Sequence, residues 1–399
     1  MLAGNVLLGR VLAAEDFGLV TAWLNVLLLL GPIATLGIDQ AIVREAKNAP
    51  VRAWKRLAGG TFLASLGFGA TIGLAFMAVY RASLLSVMAF LLCLPLSASV
   101  LLMVGVLRAG LRVVVAQTLS QLWKWVFLVG TIMVFLVLRA GTVSVVLIAL
   151  LAGFLCSAAL GALLCSRFHA SSGARMADPP RFLQLVPIGV GFLISSGAAA
   201  MLLRADRILL PIILGNAALA DYQANWLVIV GSASIGRQAL GFVLMPVLAL
   251  SRTQAQRRAA LRRIGGICGG LALLLLVVVP HVAPVFVARL FSGRYLTDPM
   301  LTRMLCVMAV LHMAVAIPSS VVGANGSRNA LLAYGLLGWV SVSVSIAGVT
   351  LLSSELGNTG VALGAVIGRL VRLVTGGGVA WVVWRRGMGE TPDVSGSTS

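Results

Sequence analysis

Four basic side chains fall inside long apolar segments of this 399-residue chain: Lys124, Arg237, Arg369 and Arg372. A charge at the centre of a membrane-spanning helix costs about 2.5–3.5 kcal/mol on insertion scales. We therefore expect these side chains to face protein or a watery cavity rather than lipid. The acidic residues lie at segment ends or in turns, so a cavity lined by these cations would attract anions. Arginine also matches phosphate geometry with two parallel hydrogen bonds.

The spacing of polar neighbours supports a shared cavity. Arg369 and Arg372 are three residues apart, which places them on one face of a helix. The other two cations also have polar neighbours at helical spacing: Gln117 and Gln121 before Lys124, and Ser234 and Gln238 around Arg237. The alternative is that these cations extend to the membrane interface or bind backbone carbonyl groups. That alternative is strongest for Lys124, which lies about two turns into its segment.

A second charged group, formed by Arg204, Asp206 and Arg207, stands at the outer end of another apolar segment. The mixture of signs predicts an ion pair that fixes the end of the helix. A charge gate or a proton-linked carboxylate is the alternative.

Composition indicates a polytopic membrane protein. Hydrophobic residues make up 60% of the chain and charged residues 10%, with a mean hydropathy of +1.05, whereas soluble proteins carry about 25% charged residues. The net charge of +19 would indicate a nucleic-acid partner only on a soluble domain with a basic face. No segment is long and polar enough to form one, so we expect no nucleic-acid partner.

The apolar segments predict an all-α fold of about twelve transmembrane helices in two six-helix halves. The halves are 1–164 and 183–384, joined by a cytoplasmic linker at 165–182 and followed by a polar cytoplasmic tail at 385–399. The first apolar segment, Met1 to Val11, is too short to span, so we expect a truncated first helix. In this topology eighteen of the thirty basic residues lie on the cytoplasmic side and eight on the other, as the positive-inside rule requires.

An internal repeat supports the division into halves. A polar turn around Glu15 and Asp16 precedes a spanning segment and a basic collar, and the same order returns from Ile213 to Arg252. Two parallel halves of this kind are a familiar plan of transporters.

These segments carry a family resemblance. LGRVLAAEDFGLVTAWL resembles the turn of the polysaccharide-exporter flippases, GIDQAIVRE resembles the end of their second helix, and ADRILLPIILGNAALADYQ is similar to their middle repeat. Ala13 and Ala14 replace the family's usual Gly-Pro. These flippases belong to the multidrug/oligosaccharidyl-lipid/polysaccharide exporter superfamily, and the resemblance covers essentially the whole chain in helix order.

The resemblance implies a flippase that moves a polyprenyl-pyrophosphate-linked oligosaccharide across the bacterial inner membrane by alternating access. Lys124, Arg237, Arg369 and Arg372 would hold the pyrophosphate or acidic sugars. We expect as partners an anionic lipid-linked oligosaccharide, membrane lipid, and a polymerase and glycosyltransferases of the same pathway. The alternatives are an exporter of drugs or peptidoglycan precursors in the same superfamily, or a membrane polysaccharide polymerase or ligase.

An enzyme is not expected. The chain shows no nucleophile–base constellation and no phosphate-binding glycine loop, and no outer loop clearly exceeds about 20 residues, the room that a catalytic loop would need. Its five cysteines and three histidines are scattered, without the close pairs of a metal site, so we expect neither a metal nor a cofactor. They are Cys93, Cys156, Cys165, Cys268 and Cys306, with His169, His281 and His312.

Overall fold

The computed structural model describes residues 2–45, 54–80, 84–109, 112–138, 143–170, 182–250 and 253–386. Within these ranges the chain is almost entirely helical and contains no strand, which confirms the all-α prediction. Most of the linker at 165–182, residues 46–53 of the first basic collar and the tail from 387 lie outside the described residues.

Among the described residues up to 213, the chain forms eight helices. Leu36 and Gly37 both adopt positive φ (52° and 68°) and end α2 close to Ile38, where the sequence predicts the end of the second helix. The helices are α1 (Leu2–Val11), α2 (Ala14–Ala34), α3 (Ile38–Glu45), α4 (Trp54–Tyr80), α5 (Leu84–Ala109), α6 (Val113–Leu138), α7 (Val143–Ala170) and α8 (Phe182–Ile213).

The second part is more interrupted than the sequence predicts. A π-helical turn, π1 (Leu227–Gly231), divides the predicted eighth helix, and a left-handed Gly357 (φ 54°) turns the chain between the last two. The remaining helices are α9 (Asn216–Trp226), α10 (Ser232–Leu250), α11 (Gln254–Val277), α12 (Val279–Leu290), α13 (Pro299–Ala314), α14 (Ala316–Asn325) and α15 (Arg328–Arg386), the last in two segments on either side of Gly357.

The predicted count of twelve spanning helices is not confirmed. Among the described residues, seven helices are long and apolar enough to cross a membrane. Several predicted spans are split, as at π1. The coarser prediction of many apolar helices holds.

The chain forms two compact units, with a boundary between Ala224 and Asn225. Unit 1 comprises residues 1–224 and 290–294, and unit 2 comprises 225–289 and 295–399. Helix α8, which the sequence assigns to the second half, packs against α2, α3 and α4 in unit 1. The division into functional halves at 165–182 stays a prediction.

Unit 1 is built around α5, which contacts α2, α3, α4, α6 and α7. Glycine allows the closest approaches. A side-chain carbon on Gly105 of α5 would lie 2.6 Å from the Asp39 carbonyl oxygen of α3. Trp123 of α6 stacks on Phe154 of α7 with their ring centres 4.8 Å apart. These contacts give α6 a fixed position, which matters because α6 carries Lys124.

Unit 2 is centred on α13 and α15, with α10, α11 and α14 around them. The two segments of α15 lie unusually close, because a side-chain carbon on Gly348 would stand 2.9 Å from the Gly364 α-carbon. A side-chain carbon on Gly368 would likewise collide with Ser345. The pair Gly364 and Gly368 therefore serves helix packing, and this packing sets the position of the neighbouring Arg369.

Candidate functional site

Unit 2 brings together three of the four cations that the sequence places inside apolar segments. Arg237 lies on α10, and Arg369 and Arg372 lie on the second segment of α15. Arg237 is close enough to interact electrostatically with both of the others. Arg369 and Arg372 are each only 2% exposed. We call Arg237, Arg369 and Arg372 the arginine cluster.

Arg372 is held by a residue of the neighbouring helical segment. Its Nη1 atom donates a hydrogen bond of 2.5 Å to the Tyr334 carbonyl oxygen, and its guanidinium carbon lies 3.7 Å from the centre of the Tyr334 ring. A desolvated cation over an aromatic face is stabilised by about 2 kcal/mol. Arg372 therefore occupies a prepared position rather than extending to the membrane interface.

Arg369 is buried with part of its hydrogen-bonding capacity unused. Its Nη1 atom donates to the Ala365 carbonyl oxygen one turn earlier, at 3.0 Å. Its buried Nη2 atom has no acceptor among the described residues. A buried neutral donor without a partner costs about 1–3 kcal/mol, and a charged donor costs more. This guanidinium group therefore keeps one unused donor inside unit 2.

His312 of α13 is the neighbour of Arg237. The Arg237 Nη1 and His312 Nε2 atoms are 3.4 Å apart. A guanidinium group has donors and no acceptor, so a hydrogen bond between the two uses the Nε2 atom as its acceptor. His312 is therefore placed to orient Arg237.

Carboxylates lie far from this cluster in the part of unit 2 that the structure describes. The acidic residues there are Asp298 and Glu355. Asp298 precedes α13, and fourteen residues separate it from His312, which corresponds to about 20 Å along a helix. Among the described residues of unit 2, no carboxylate is therefore placed to neutralise the arginine cluster.

Lys124 does not belong to this cluster, because it lies in unit 1 on α6. Its Nζ atom donates to Gln121 Oε1 at 2.5 Å and lies 5.7 Å from the centre of the Trp123 ring. Arg204 of α8 is its electrostatic neighbour. Gln121, one of the polar neighbours expected for Lys124, does contact it, and the role of Lys124 in substrate binding stays a prediction.

The Arg204, Asp206 and Arg207 group lies inside α8 rather than at a helix end, since α8 continues to Ile213. Asp206 and Arg207 are buried; the carboxylate Oδ1 is 3.7 Å from Arg207 Nε, and Oδ2 accepts a 2.7 Å hydrogen bond from the Tyr222 hydroxyl group. Arg207 also donates to the Leu203 carbonyl oxygen. The ion pair expected from the sequence is present between Asp206 and Arg207.

Sequence reasoning missed His312 and Tyr334 as members of the site. Both were visible as polar groups in apolar segments, but their contacts depend on how α10, α13 and α15 pack. Among the described residues, His, Cys, Asp and Glu form no group of three that could hold a metal ion.

The fold is that of multi-pass membrane transporters. An inward-facing multidrug resistance MATE family transporter of the MOP superfamily aligns with a TM-score of 0.70 and 17% identity, over 98% of this chain and 95% of that one. An outward-facing structure of such a transporter aligns with a TM-score of 0.64 and 15% identity, over 98% of this chain and 92% of that one. The Vibrio cholerae MATE transporter VcmN aligns with a TM-score of 0.62 and 15% identity, over 97% of this chain and 92% of that one.

A family model described as "Polysaccharide biosynthesis protein" matches residues 2–248. The chain belongs to this family, in agreement with the resemblance to polysaccharide exporters. No curated protein sequence matches the chain significantly. The structural neighbours named above are transporters by their descriptions.

Proposed function

We propose that the protein flips a polyprenyl-pyrophosphate-linked oligosaccharide across the bacterial inner membrane, for a surface polysaccharide such as O-antigen, capsule or exopolysaccharide. The single observation that carries the proposal is the arginine cluster. Three guanidinium groups occupy the interior of unit 2, and the Nη2 atom of Arg369 has no acceptor among the described residues. The membership in the polysaccharide biosynthesis family supports the same substrate class.

The chemistry of a pyrophosphate matches this cluster. A pyrophosphate is a compact polyanion whose oxygen atoms accept hydrogen bonds from more than one arginine at a time. Arg369 and Arg372 are placed by α15 and Arg237 by α10, so three rigid positions converge on one ligand. Acidic sugars next to the pyrophosphate would bind by the same means. The cluster recognises charge and geometry rather than the identity of a particular sugar.

Alternating access is the mechanism that fits this proposal. The head group would bind the arginine cluster from one membrane side and leave on the other, while the prenyl chain stays in lipid. Lys124, near Arg204 in unit 1, would add a second point of attraction. We place the C-terminus in the cytoplasm, and we expect the pathway's polymerase and glycosyltransferases as functional partners. A reporter fused after Ser399 tests the orientation.

Substitution of the cluster tests the proposal. Arg369→Ala and Arg372→Ala are expressed in a strain that lacks its own exporter, and surface polysaccharide is measured at matched protein levels. Each loss of a charged hydrogen bond to phosphate removes about 1.5–3 kcal/mol, so we expect export to fall about tenfold or more. Arg303→Ala is the matched control, because Arg303 is an exposed arginine of the same unit at the start of α13.

Undiminished export by both Arg369→Ala and Arg372→Ala would overturn the proposal. Binding of a short-chain prenyl pyrophosphate to the purified protein separates ligand recognition from assembly in the cell. Binding should weaken in both variants and at higher salt, because screening acts on charge attraction.

Drug export is the second candidate, favoured by the MATE structural neighbours. Cationic drugs would require acidic residues near the binding site, whereas the described interior of unit 2 around Arg237 holds arginines. Efflux of a cationic dye from cells that express the protein, abolished by Arg369→Ala, would favour this alternative. We expect no such efflux.

A further inference from the structure

Unit 2 contains an apolar groove apart from the arginine cluster. Helices α11, α14 and the second segment of α15 enclose a cavity of about 240 Å³. We call it the tryptophan groove; its lining includes Leu261, Ile317, Val321, Gly377, Trp381 and Trp384. Hydrocarbon fits such a lining, and a polar sugar does not, because its hydroxyl groups would lose their hydrogen bonds to water.

Arginines surround one end of this groove. Leu261 stands near the start of α11, and Trp384 stands near the end of α15, so both helix ends meet the same membrane face at the groove. The Arg385 guanidinium carbon lies 4.8 Å from the centre of the Trp381 ring. The other arginines at these two helix ends are Arg257, Arg258, Arg262, Arg263 and Arg386.

The groove is apolar along its length and basic at one end, which matches the acyl chain and the phosphate of a lipid in one leaflet. Tryptophan rings are typical of the level where acyl chains meet head groups, and arginines just beyond them attract phosphate. The two described acidic residues of unit 2 are Asp298, just before α13, and Glu355, just before Gly357. Both therefore lie at the helix ends away from Leu261 and Trp384. A phosphate at Arg385 would therefore meet arginines and no described carboxylate, with its acyl chain pointing into the groove.

We propose that the tryptophan groove binds one acyl chain of an anionic phospholipid, whose phosphate contacts Arg385 and the arginines at the start of α11. Basic pockets between transmembrane helices bind anionic head groups in this way. The site is separate from transport of the proposed substrate, so its test does not depend on that function.

The position of Tyr334 argues for a phospholipid rather than the prenyl chain of a transported substrate. The Tyr334 ring stacks on Arg372 and also stands against Gly376, where an added side-chain carbon would lie 2.9 Å from it. The ring therefore covers the face of α15 that carries Arg372 and Gly376, whereas Gly377, Trp381 and Trp384 line the groove. A bilayer lipid in the groove would place its phosphate beside Arg385, which lies against Trp381.

Brominated lipids provide the test, since bromine on an acyl chain quenches tryptophan fluorescence at contact. The full-length protein is placed in nanodiscs with equal mole fractions of dibrominated phosphatidylglycerol or dibrominated phosphatidylcholine. A Trp381→Phe/Trp384→Phe variant is subtracted to isolate the groove signal. We expect phosphatidylglycerol to quench this signal about twofold more than phosphatidylcholine at low salt, and the difference to shrink as salt rises.

Two adjacent glycines supply matched variants. Gly377 lines the groove, and neither Gly377 nor Gly378 has an atom within 4 Å of the position of an added side-chain carbon. Gly377→Leu should fill the groove and abolish the excess quenching, whereas Gly378→Leu should retain it. Arg385→Gln should also reduce the excess quenching by phosphatidylglycerol, although it does not fill the groove. Arg303→Gln should leave this excess unchanged.

Equal quenching by the two lipids, or an excess that survives Gly377→Leu, would overturn the proposal. Displacement of the signal by unbrominated polyprenyl phosphate, but not by unbrominated phosphatidylglycerol, would assign the groove to a substrate chain instead. Quenching that is absent until residues 387–399 are deleted would show that the groove is occupied by this chain's own tail.

Discussion

The Arg372 guanidinium carbon lies over the Tyr334 ring, 3.7 Å from its centre, and the group donates to the carbonyl oxygen of the same residue. One residue thus fixes this cation in two ways. Both contacts depend on the planar guanidinium group, which stacks and donates from a rigid fork. The positive charge alone would not reproduce the geometry.

Arg372→Lys should therefore impair export although it preserves the charge. We expect about a tenfold loss, because an ammonium group cannot reproduce the stacked, forked geometry. Tyr334→Leu should cause a similar loss, and the double variant should be no worse than either, since the two residues act as one unit. Surface polysaccharide at matched protein levels is the measurement. Arg303→Lys is the control, and additive losses would contradict the coupling.

His312 should act through its acceptor nitrogen. His312→Gln offers an amide oxygen to Arg237, whereas His312→Leu leaves the guanidinium group without this acceptor at 3.4 Å. We expect His312→Gln to bind a short-chain prenyl pyrophosphate within about threefold of the parent protein and His312→Leu to bind about tenfold more weakly, since the lost acceptor is worth about 1–1.5 kcal/mol. Equal binding by both variants would exclude His312 from positioning Arg237.

The sequence singled out three cations that the structure brings together, although their role as a binding site stays a prediction. Arg237, Arg369 and Arg372 could be singled out because a charge in an apolar segment must be compensated by protein or water. Their common location follows from the spacing of Arg369 and Arg372, and the proximity of Arg237 follows from packing that no local pattern encodes. Lys124 was grouped with them because it has the same residue chemistry, and the structure places it in unit 1 near Arg204.

Helix boundaries could be predicted only approximately from the polar residues. Glu15 and Asp16, expected in a turn before the second helix, lie instead in the first turn of α2. The break between α2 and α3 lies close to the predicted helix end at Ile38, whereas the end of α8 was missed because α8 continues past the charges at Arg204–Arg207. These charged residues can stay inside the helix because Asp206 pairs with Arg207 and accepts a hydrogen bond from Tyr222. Hydropathy reports the membrane environment rather than the hydrogen-bonding pattern of the backbone.

Substitution of a glycine at the contact between the two segments of α15 should destabilise the protein more than substitution of a glycine near the end of α15. Gly364→Ala places a carbon against the Gly348 and Val349 backbones, which cannot move like a flexible side chain, so we expect a loss of about 1–3 kcal/mol. Gly378→Ala, with no neighbour within 4 Å, should be neutral or slightly stabilising because alanine favours helix. Thermal unfolding in detergent distinguishes them, and equal midpoints would contradict the close packing.

Acid should weaken the start of α13. The Thr359 hydroxyl group donates to Asp298 at 2.7 Å, and the Met300 and Leu301 amides also donate to it. These hydrogen bonds hold the pKa of the Asp298 carboxyl below its usual value of 3.8. Because the folded-state pKa is the lower one, the stabilisation is present above pH 3.8 and is lost as pH falls through the folded-state pKa.

Asp298→Ala should accordingly lower stability by about 1 kcal/mol at neutral pH, as for other helix N-caps. It should remove this part of the acid sensitivity. Unfolding midpoints between pH 3 and pH 7 provide the measurement, with Glu355→Ala as a carboxylate control from the same unit. An Asp298→Ala protein as acid-sensitive as its parent would show that this carboxylate does not carry the effect.

Asp206 should be required for folding rather than for gating. Its carboxylate faces Arg207 and accepts from Tyr222 inside unit 1, so Asp206→Ala leaves a buried guanidinium group without its counterion, a change that costs about 3–5 kcal/mol. Tyr222→Phe removes only a hydrogen bond and should cost about 1 kcal/mol. We expect the yield of folded protein, measured by size-exclusion chromatography, to follow this order. Asp206→Asn protein that folds normally and binds prenyl pyrophosphate, yet exports nothing, would instead assign a gating or proton-linked role to the carboxylate.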